Sequence, residues 1–329
     1  MKYHPVFKQL GIICVLLLVF SACSEGEKKR TTARKLSSGR MNSINVVVEN
    51  DAWKGAVGDS IRQVLAQPTL GLPVDEPIFT LRQINHESFK GFPRENRLIV
   101  YVQKGDTTGV VFKNDFYATP QTIAVITGKN DAEVASLISE NGDKIINELK
   151  AREISHRRNQ ISKSLKATDS LKSVFGLSMR FPTAYRYAAK EDNFFWMRKD
   201  LKNGDMNILV YEVPLKTIDQ DTNTIARIIR MRDSISGKKI TVDDGRFITQ
   251  RDFAPYLNKT EIDGRPTWET RGLWEVDTDF LAGPFINYAI RDEANNRYLV
   301  VEGFIFSPSI DKRDNMTELE AILLTANLE

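Results

Sequence analysis

The apolar residues change rhythm once along the chain, near Leu177, and this change limits the possible folds more than any other feature of the sequence. Before it, short β-branched runs alternate with stretches of helical spacing. Ile44–Val48 reads as a buried strand, and Val57, Ile61, Val64 and Leu65 then mark one face of a helix from Trp53 to Ala66 that Gln67-Pro68 stops. Ile78–Ile84, Arg97–Val102 and Thr122–Ile126 read as further strands. A long helical stretch begins near Asp131, softens at Asn141-Gly142 and runs on as a polar, basic segment to Lys172. After Leu177 the signals are antiparallel: strands at Leu177–Tyr187, Asn193–Lys199, Met206–Val213, Pro266–Glu275, Phe285–Asp292 and Arg297–Ile305. A tight Glu293-Ala294-Asn295-Asn296 loop joins the last two, and helices are expected at Asn223–Ser236 and Met316–Ala326. The pattern predicts an α+β protein made of α/β sandwich-type domains. Residues 41–172 form a mixed-sheet α/β domain, and residues 173–329 a mostly antiparallel α+β domain with helices against one face.

Ahead of these lies an address. Lys2 and Lys8 are the only charged residues before the apolar run Leu10–Phe20, which is too short for a helix to span a membrane and fits the core of a signal peptide. The ending Val19-Phe20-Ser21-Ala22-Cys23 resembles a bacterial lipobox, with Phe20 where leucine is usual. Residues 1–22 then read as a lipoprotein signal peptide, with Cys23 as the lipidated residue. Cys14 leaves with the signal, so the mature body has no disulfide and no thiol for catalysis or metal, and must rely on its own core. The formal charge of +3 is misleading as well. Lys28, Lys29, Arg30, Arg34, Lys35 and Arg40 crowd into residues 23–40, a stretch with one leucine that reads as a basic tether, and the body itself is slightly acidic. A nucleic-acid partner is therefore not expected; the expected partners are the membrane, through the lipid, and an envelope protein.

The strings RGLWEVDTDFLAGPFINYAIRD (Arg271–Asp292) and VEGFIFSP (Val301–Pro308) resemble the signature of a Bacteroidetes lipoprotein family called domain of unknown function 4837. Phe194–Asp200 (FFWMRKD) and Arg232–Ile240 (RDSISGKKI) fit the same pattern. The resemblance implies an envelope lipoprotein and brings no catalytic residues with it. The second half also resembles, loosely, PsbP- and Mog1-like sandwiches, which implies a binding or assembly role.

Sites of known chemistry find little support. Beyond residue 22 the histidines are His86 and His156, without the HExxH or HxxxH spacing of a zinc site, so both read as structural or solvated. There is no GxSxG elbow and no phosphate loop; Gly128-Lys129 at a strand-to-helix turn is too little for one. Glu275, Asp277 and Asp279 lack the calcium-loop pattern and read as a solvated face. No metal and no cofactor are expected. What remains is Arg271 to Phe285, where Gly272, Gly283 and Pro284 suggest a shaped loop between strands. Arg271, Trp274 and Phe285 are its candidate binding residues, since arginine and aromatics dominate recognition surfaces. The expected function is a non-enzymatic envelope lipoprotein, on the outer rather than the inner membrane, with a binding or assembly role. The alternative is a carboxylate-based hydrolase acting on envelope polymers.

Overall fold

The computed structural model describes residues 34–220, 222–308 and 310–329; the signal segment, Cys14 and Cys23 lie outside them. None of the described helices is long and apolar enough to cross a membrane. The architecture is α+β, with two large sheets and, among the described residues, two small two-stranded ones; both large sheets lie inside one compact unit, Leu36–Glu329.

The first sheet contains β1 (Ser43–Val47), β2 (Thr80–Ile84), β3 (Leu98–Lys104), β4 (Gly109–Asn114) and β5 (Thr122–Gly128), in the order β2-β1-β3-β5-β4. Four strands are parallel and β4 runs antiparallel along the edge on β5. Strand β4 was not foreseen: Val110 and Phe112 pack inward while the apolar Val111 is exposed, so GVVFKN lacks the alternation that marks an edge strand. Helices α1 (Ala56–Leu65), α2 (Asp131–Glu140) and α3 (Gly142–Ile161) cover one face of this sheet. Ile44, Val46, Leu98 and Val100 meet Ile61, Val134, Ile145 and Leu149 there. The alternate residues Val47, Ile99 and Ile123 point the other way, where Phe89 and loops cover them instead of a helix.

The second sheet has eight strands, all paired antiparallel: β6 (Arg186–Glu191), β7 (Phe194–Leu201), β8 (Gly204–Pro214), β9 (Phe247–Thr249), β10 (Tyr256–Ile262), β11 (Arg265–Val276), β12 (Ala282–Asp292) and β13 (Arg297–Phe306). Their order is β9-β11-β12-β13-β8-β7-β6, with β10 also pairing on β11. Helix α4 (Asp169–Phe175) leads into it, α5 (Thr224–Lys239) separates β8 from β9, and α6 (Arg313–Leu323) follows β13. One face packs on Met316, Leu319, Ile322 and Leu323 of α6, the other on Ile228 and Met231 of α5. Helices thus lie on both faces, where one covered face was expected. The reason is visible in β8, buried almost along its whole length, which lacks the alternation of a half-solvated strand. Phe194 and Phe195 accordingly enter opposite cores. The expected strand Leu177–Tyr187 is also divided: Leu177–Ser178 pairs with Asn327–Leu328, and β6 begins only at Arg186, beyond Pro182. The basic helical stretch divides too, with α3 ending at Ile161 and α4 starting at Asp169.

Between α5 and the sheet lies a buried charge. Arg232 is fully buried; its Nε donates to Glu302 Oε1 at 3.0 Å and its Nη1 to Thr249 Oγ1 at 3.1 Å. Asn287 Nδ2 donates to the other oxygen of Glu302 at 2.8 Å, and the guanidinium lies 4.0 Å from the Phe285 ring. Burial raises the Glu302 carboxyl pKa; Arg232 opposes that shift without cancelling it. Arg232→Met should cost about 3–5 kcal/mol by leaving Glu302 unpaired, and adding Glu302→Leu should recover part of the loss in a urea melt.

The tether expected over residues 23–40 is not free to its end. Ser37 N donates to Thr119 O at 2.9 Å, Ser38 N to Glu95 O at 2.8 Å and Arg97 N to Ser38 O at 2.9 Å. Gly39, with φ +105°, lies against the Asn96 side chain, where a Cβ would meet Oδ1 at 2.1 Å. A chain starting at Met41 should therefore be less stable than one starting at Leu36 by about 1–3 kcal/mol, read as a lower thermal midpoint.

Candidate binding cleft

A cleft of about 260 Å³ lies where the loop before β2 and helix α3 meet β11 and α6, so residues from both sheets' halves form its walls. Side-chain alternation along β11 places Glu269 and Arg271 on the same face, opposite Tyr288 and Ile286 of β12. Helix α6 lies over that face and supplies Glu320. Arg271 is gripped between two carboxylates: its Nε donates to Glu269 at 2.6 Å and its Nη2 pairs with Glu320 at 2.8 Å. Gly71 closes the loop over this pair. It has φ +80° and sits so near that a Cβ would lie 3.0 Å from Cβ of Arg271, so only glycine fits without strain. Asn42 reaches across to Asp314 at 2.9 Å and Thr317 at 3.0 Å. The Glu76 carboxylate accepts from the backbone N of Lys312 and Arg313, at 2.7 and 2.9 Å, at the start of α6.

The electrostatics fix these charges. Burial pushes the Glu320 carboxyl up, but the Arg271 guanidinium and then Lys150 outweigh it and hold it below the usual carboxylate range. Burial likewise works against charge on Arg271, and Glu320 leads the groups that raise it well above its ordinary value. Tyr288 is buried, with its hydroxyl beside this pair and raised well above its ordinary value by burial, then by Glu320.

The structure does not bring the three candidate residues together. Arg271 faces the cleft, while Trp274 and Phe285 lie in the opposite core, under α5. Trp274 is 4% exposed, donates from Nε1 to Ile305 O at 3.1 Å and stacks on Phe247. Phe285 is 1% exposed, and its ring occupies the space that a Cβ on Gly272 would take, at 2.9 Å. The expected loop from Arg271 to Phe285 is mostly strand: β11 continues to Val276 and β12 begins at Ala282, leaving residues 277–281 as the turn. Gly272 and Gly283 permit close approach of Phe285 and of Ile305 O, which is the other use of glycine within a sheet. Asp277 accepts from Arg246 N at 2.8 Å, and among the described residues no group of three or more His, Cys, Asp or Glu could hold a metal ion. Sequence reasoning missed Glu269, which the E-x-R spacing on a strand could have revealed. It also missed Glu320 and Gly71, for which the local sequence carries no signal.

Residues 164–325 match the family model described as Domain of unknown function (DUF4837), and residues 37–162 match Domain of unknown function (DUF8532). The cleft lies where these two segments meet. No curated protein matches the sequence significantly. Among solved structures, the Saccharomyces cerevisiae Ran-binding protein Mog1p aligns at 8% identity with a TM-score of 0.30, covering 46% of this chain and 90% of that one. A point mutant of Mog1 aligns at 9% identity and a TM-score of 0.31, with the same coverage.

Arg271→Ala should cost about 3–5 kcal/mol in a thermal melt, because it leaves Glu269 and Glu320 facing each other unpaired; Arg271→Lys should cost less. A pH effect should come from α3. Burial, then Arg97, Arg157 and Lys163, lower His156 from 6.5 to about 4. Its stabilising share is complete above the unfolded pKa of 6.5 and drains away as the pH falls towards about 4, because only the unfolded chain takes up the proton in that window. For this half-buried ring the loss should be about 1–2 kcal/mol after solvent screening, and His156→Gln should flatten that part of the stability–pH curve.

Proposed function

We propose that this chain is a cell-envelope lipoprotein that acts as a non-enzymatic binding or assembly module, held at the membrane by lipid on Cys23 and engaging an envelope partner at the cleft around Arg271. The observation that carries the binding role is the locked charge of that cleft. An arginine clamped between two carboxylates, one of them kept ionised, presents a fixed pattern of donors and acceptors. General acid–base chemistry instead needs a group poised to exchange its proton near neutral pH. A preformed polar cleft between two packed halves is also a common position for recognition. The anchor rests on the sequence: an apolar run of signal length, then small residues and Cys23, then a cluster of cations suited to lie against anionic headgroups.

Two outcomes test this reading. Cys23→Ser should move the protein from the membrane to the soluble fraction, and a variant that stays fully membrane-bound through a high-salt wash would remove the lipid from the account. Crosslinking in membranes through a photoreactive residue at Leu70, 49% exposed on the cleft wall, should capture one partner from the wild type and much less from Arg271→Lys, at a temperature where a melt shows both folded. Equal capture by both would place the partner elsewhere.

A further inference from the structure

The large sheet has an open edge beside the Arg271 cleft. Strand β10 pairs with β11 along one side without a bulge, from Tyr256 opposite Arg271 to Ile262 opposite Arg265, and among the described residues no strand pairs with its other side. The register shows which groups are left open. Gln250 N donates to Leu273 O, and Val276 N donates to Leu281 O ahead of β12. The odd-numbered residues of β11 therefore turn their backbone groups towards β9 and β10, and the even-numbered ones towards β12. Asn258 and Thr260, opposite Glu269 and Thr267, bond to β11. Leu257, Lys259 and Glu261 direct their N–H and C=O groups off the edge, and no hydrogen bond among the described residues reaches those groups.

Sheets guard an open edge with a bulge, a proline or a charge. The far edge, β6, has a bulge in its pairing with β7, between Trp196 and Met197. Strand β10 is regular and carries Lys259 at its centre. Pairing with a second copy about a two-fold axis, through the three open residues, would set Lys259 against Lys259, and like charges directly opposite are destabilising. The edge thus rejects its own copy and suits an acidic strand.

A hollow lies on each face of this edge. Asn258 lines the Arg271 cleft with Glu269. On the other face Lys259 and Trp268 line a second hollow of about 260 Å³ with Tyr298 and Arg291. Lys259 Nζ lies 5.2 Å from the centre of the Trp268 ring and makes no ion pair among the described residues. On the cleft side Lys150 makes none either, and Glu320, the acid it acts on, is held by Arg271. Successive side chains of an added strand point to alternate faces, so one strand can fill both hollows in turn.

We propose that β10 takes up an extended acidic segment of the envelope partner as a further strand, with a carboxylate opposite Lys259 and the neighbouring side chains turned into the Arg271 cleft. This rests on the reading above that the cleft receives such a partner, and it names what the partner presents. Main-chain bonds to Leu257, Lys259 and Glu261 give the affinity, and the two hollows select the side chains.

The probe is the peptide acetyl-Val-Thr-Glu-Thr-Val-amide, which presents the same side chains in either strand direction; its control has lysine in place of glutamate. In amide hydrogen exchange of the full chain, Asn258 and Thr260 should be protected from the start, while Leu257, Lys259 and Glu261 exchange freely. Saturating acidic peptide should slow these three at least about tenfold. The lysine peptide should bind at least about tenfold more weakly, and Lys259→Glu should reverse that preference, which no loss of structure can imitate. Glu261→Gln removes an acid and should strengthen binding of the acidic peptide. Glu261→Pro removes the same acid together with an outward N–H and should weaken it. An edge strand tolerates proline where its N–H faces solvent, so the fold is retained, which a thermal melt checks. The proposal is overturned if the three amides are as protected in the free protein as their neighbours, or if the acidic peptide leaves them unprotected at about 10 mM. It is overturned equally if the two peptides bind alike, or if Glu261→Pro binds as Glu261→Gln does. The Leu70 crosslink reads the cleft and amide exchange reads the edge, so a partner captured at Leu70 while the edge stays unprotected removes the strand and keeps the cleft.

Discussion

Helix α6 is the element that the rest of the structure depends on, because it is bound in two different ways on two sides. Towards the large sheet it presents Met316, Leu319, Ile322 and Leu323, and removing these from water supplies most of the attraction. Its acids and backbone groups meet specific partners on the rim of the large sheet and on the first half alike. Glu318 takes Arg157 of α3 and Lys199 of β7, Glu320 takes Arg271 of β11, and Asp314 takes Asn42. Arg158 donates to Leu324 O at its carboxyl end, while Glu76 accepts at its amino end. The apolar side gives affinity without direction; the polar side sets the angle and the register, since a carboxylate buried without its cation is strongly destabilising.

This division of labour explains why the cleft is polar and preformed. Leu72, Ile154 and Ile161 of the first half pack into the core of the large sheet, and around them the seam between the sheets is closed by hydrogen bonds and ion pairs. A seam of that kind leaves ordered polar groups at its open end. Arg271 belongs to the seam and to the cleft at once, which makes its structural and recognition roles inseparable in a simple alanine variant. The charge of Arg232 is held differently, sealed between α5 and the sheet by Glu302 and two aromatic rings, and it orients the helix on the sheet.

The first sheet shows the opposite economy. Its helices cover one face, and loops with Phe89, Tyr101 and Tyr117 cover the other, so its carboxyl edge and its aromatic side meet at Tyr101. Parallel strands are ordinarily covered by helices on both faces. Where one layer is missing, aromatic side chains reach the surface beside the strand ends, with Arg94 over Phe89 and Tyr117 and Lys113 over Phe116.

Much of this was legible in the sequence because it depends on local periodicity. The runs Ile44–Val48 and Thr122–Ile126, the helix with Val57, Ile61 and Leu65, and the antiparallel series after Leu177 are written in the spacing of apolar residues, and spacing is what a helix or strand face reads. Other decisions were tertiary. Edge strand β4 carries an apolar residue, Val111, on its exposed side, and β8 could be read as a strand but not as one covered on both faces. The glycines at 272 and 283, which in sequence suggest a loop, serve a neighbouring ring and a carbonyl within the sheet. Arg271 was visible as a candidate, but its partner Glu320 lies on another element far along the chain, and His86 meets Glu49 only because β1 and β2 are parallel neighbours. Periodicity fixes which residues face inward; which distant charges then face one another is settled only when the sheets and helices are packed.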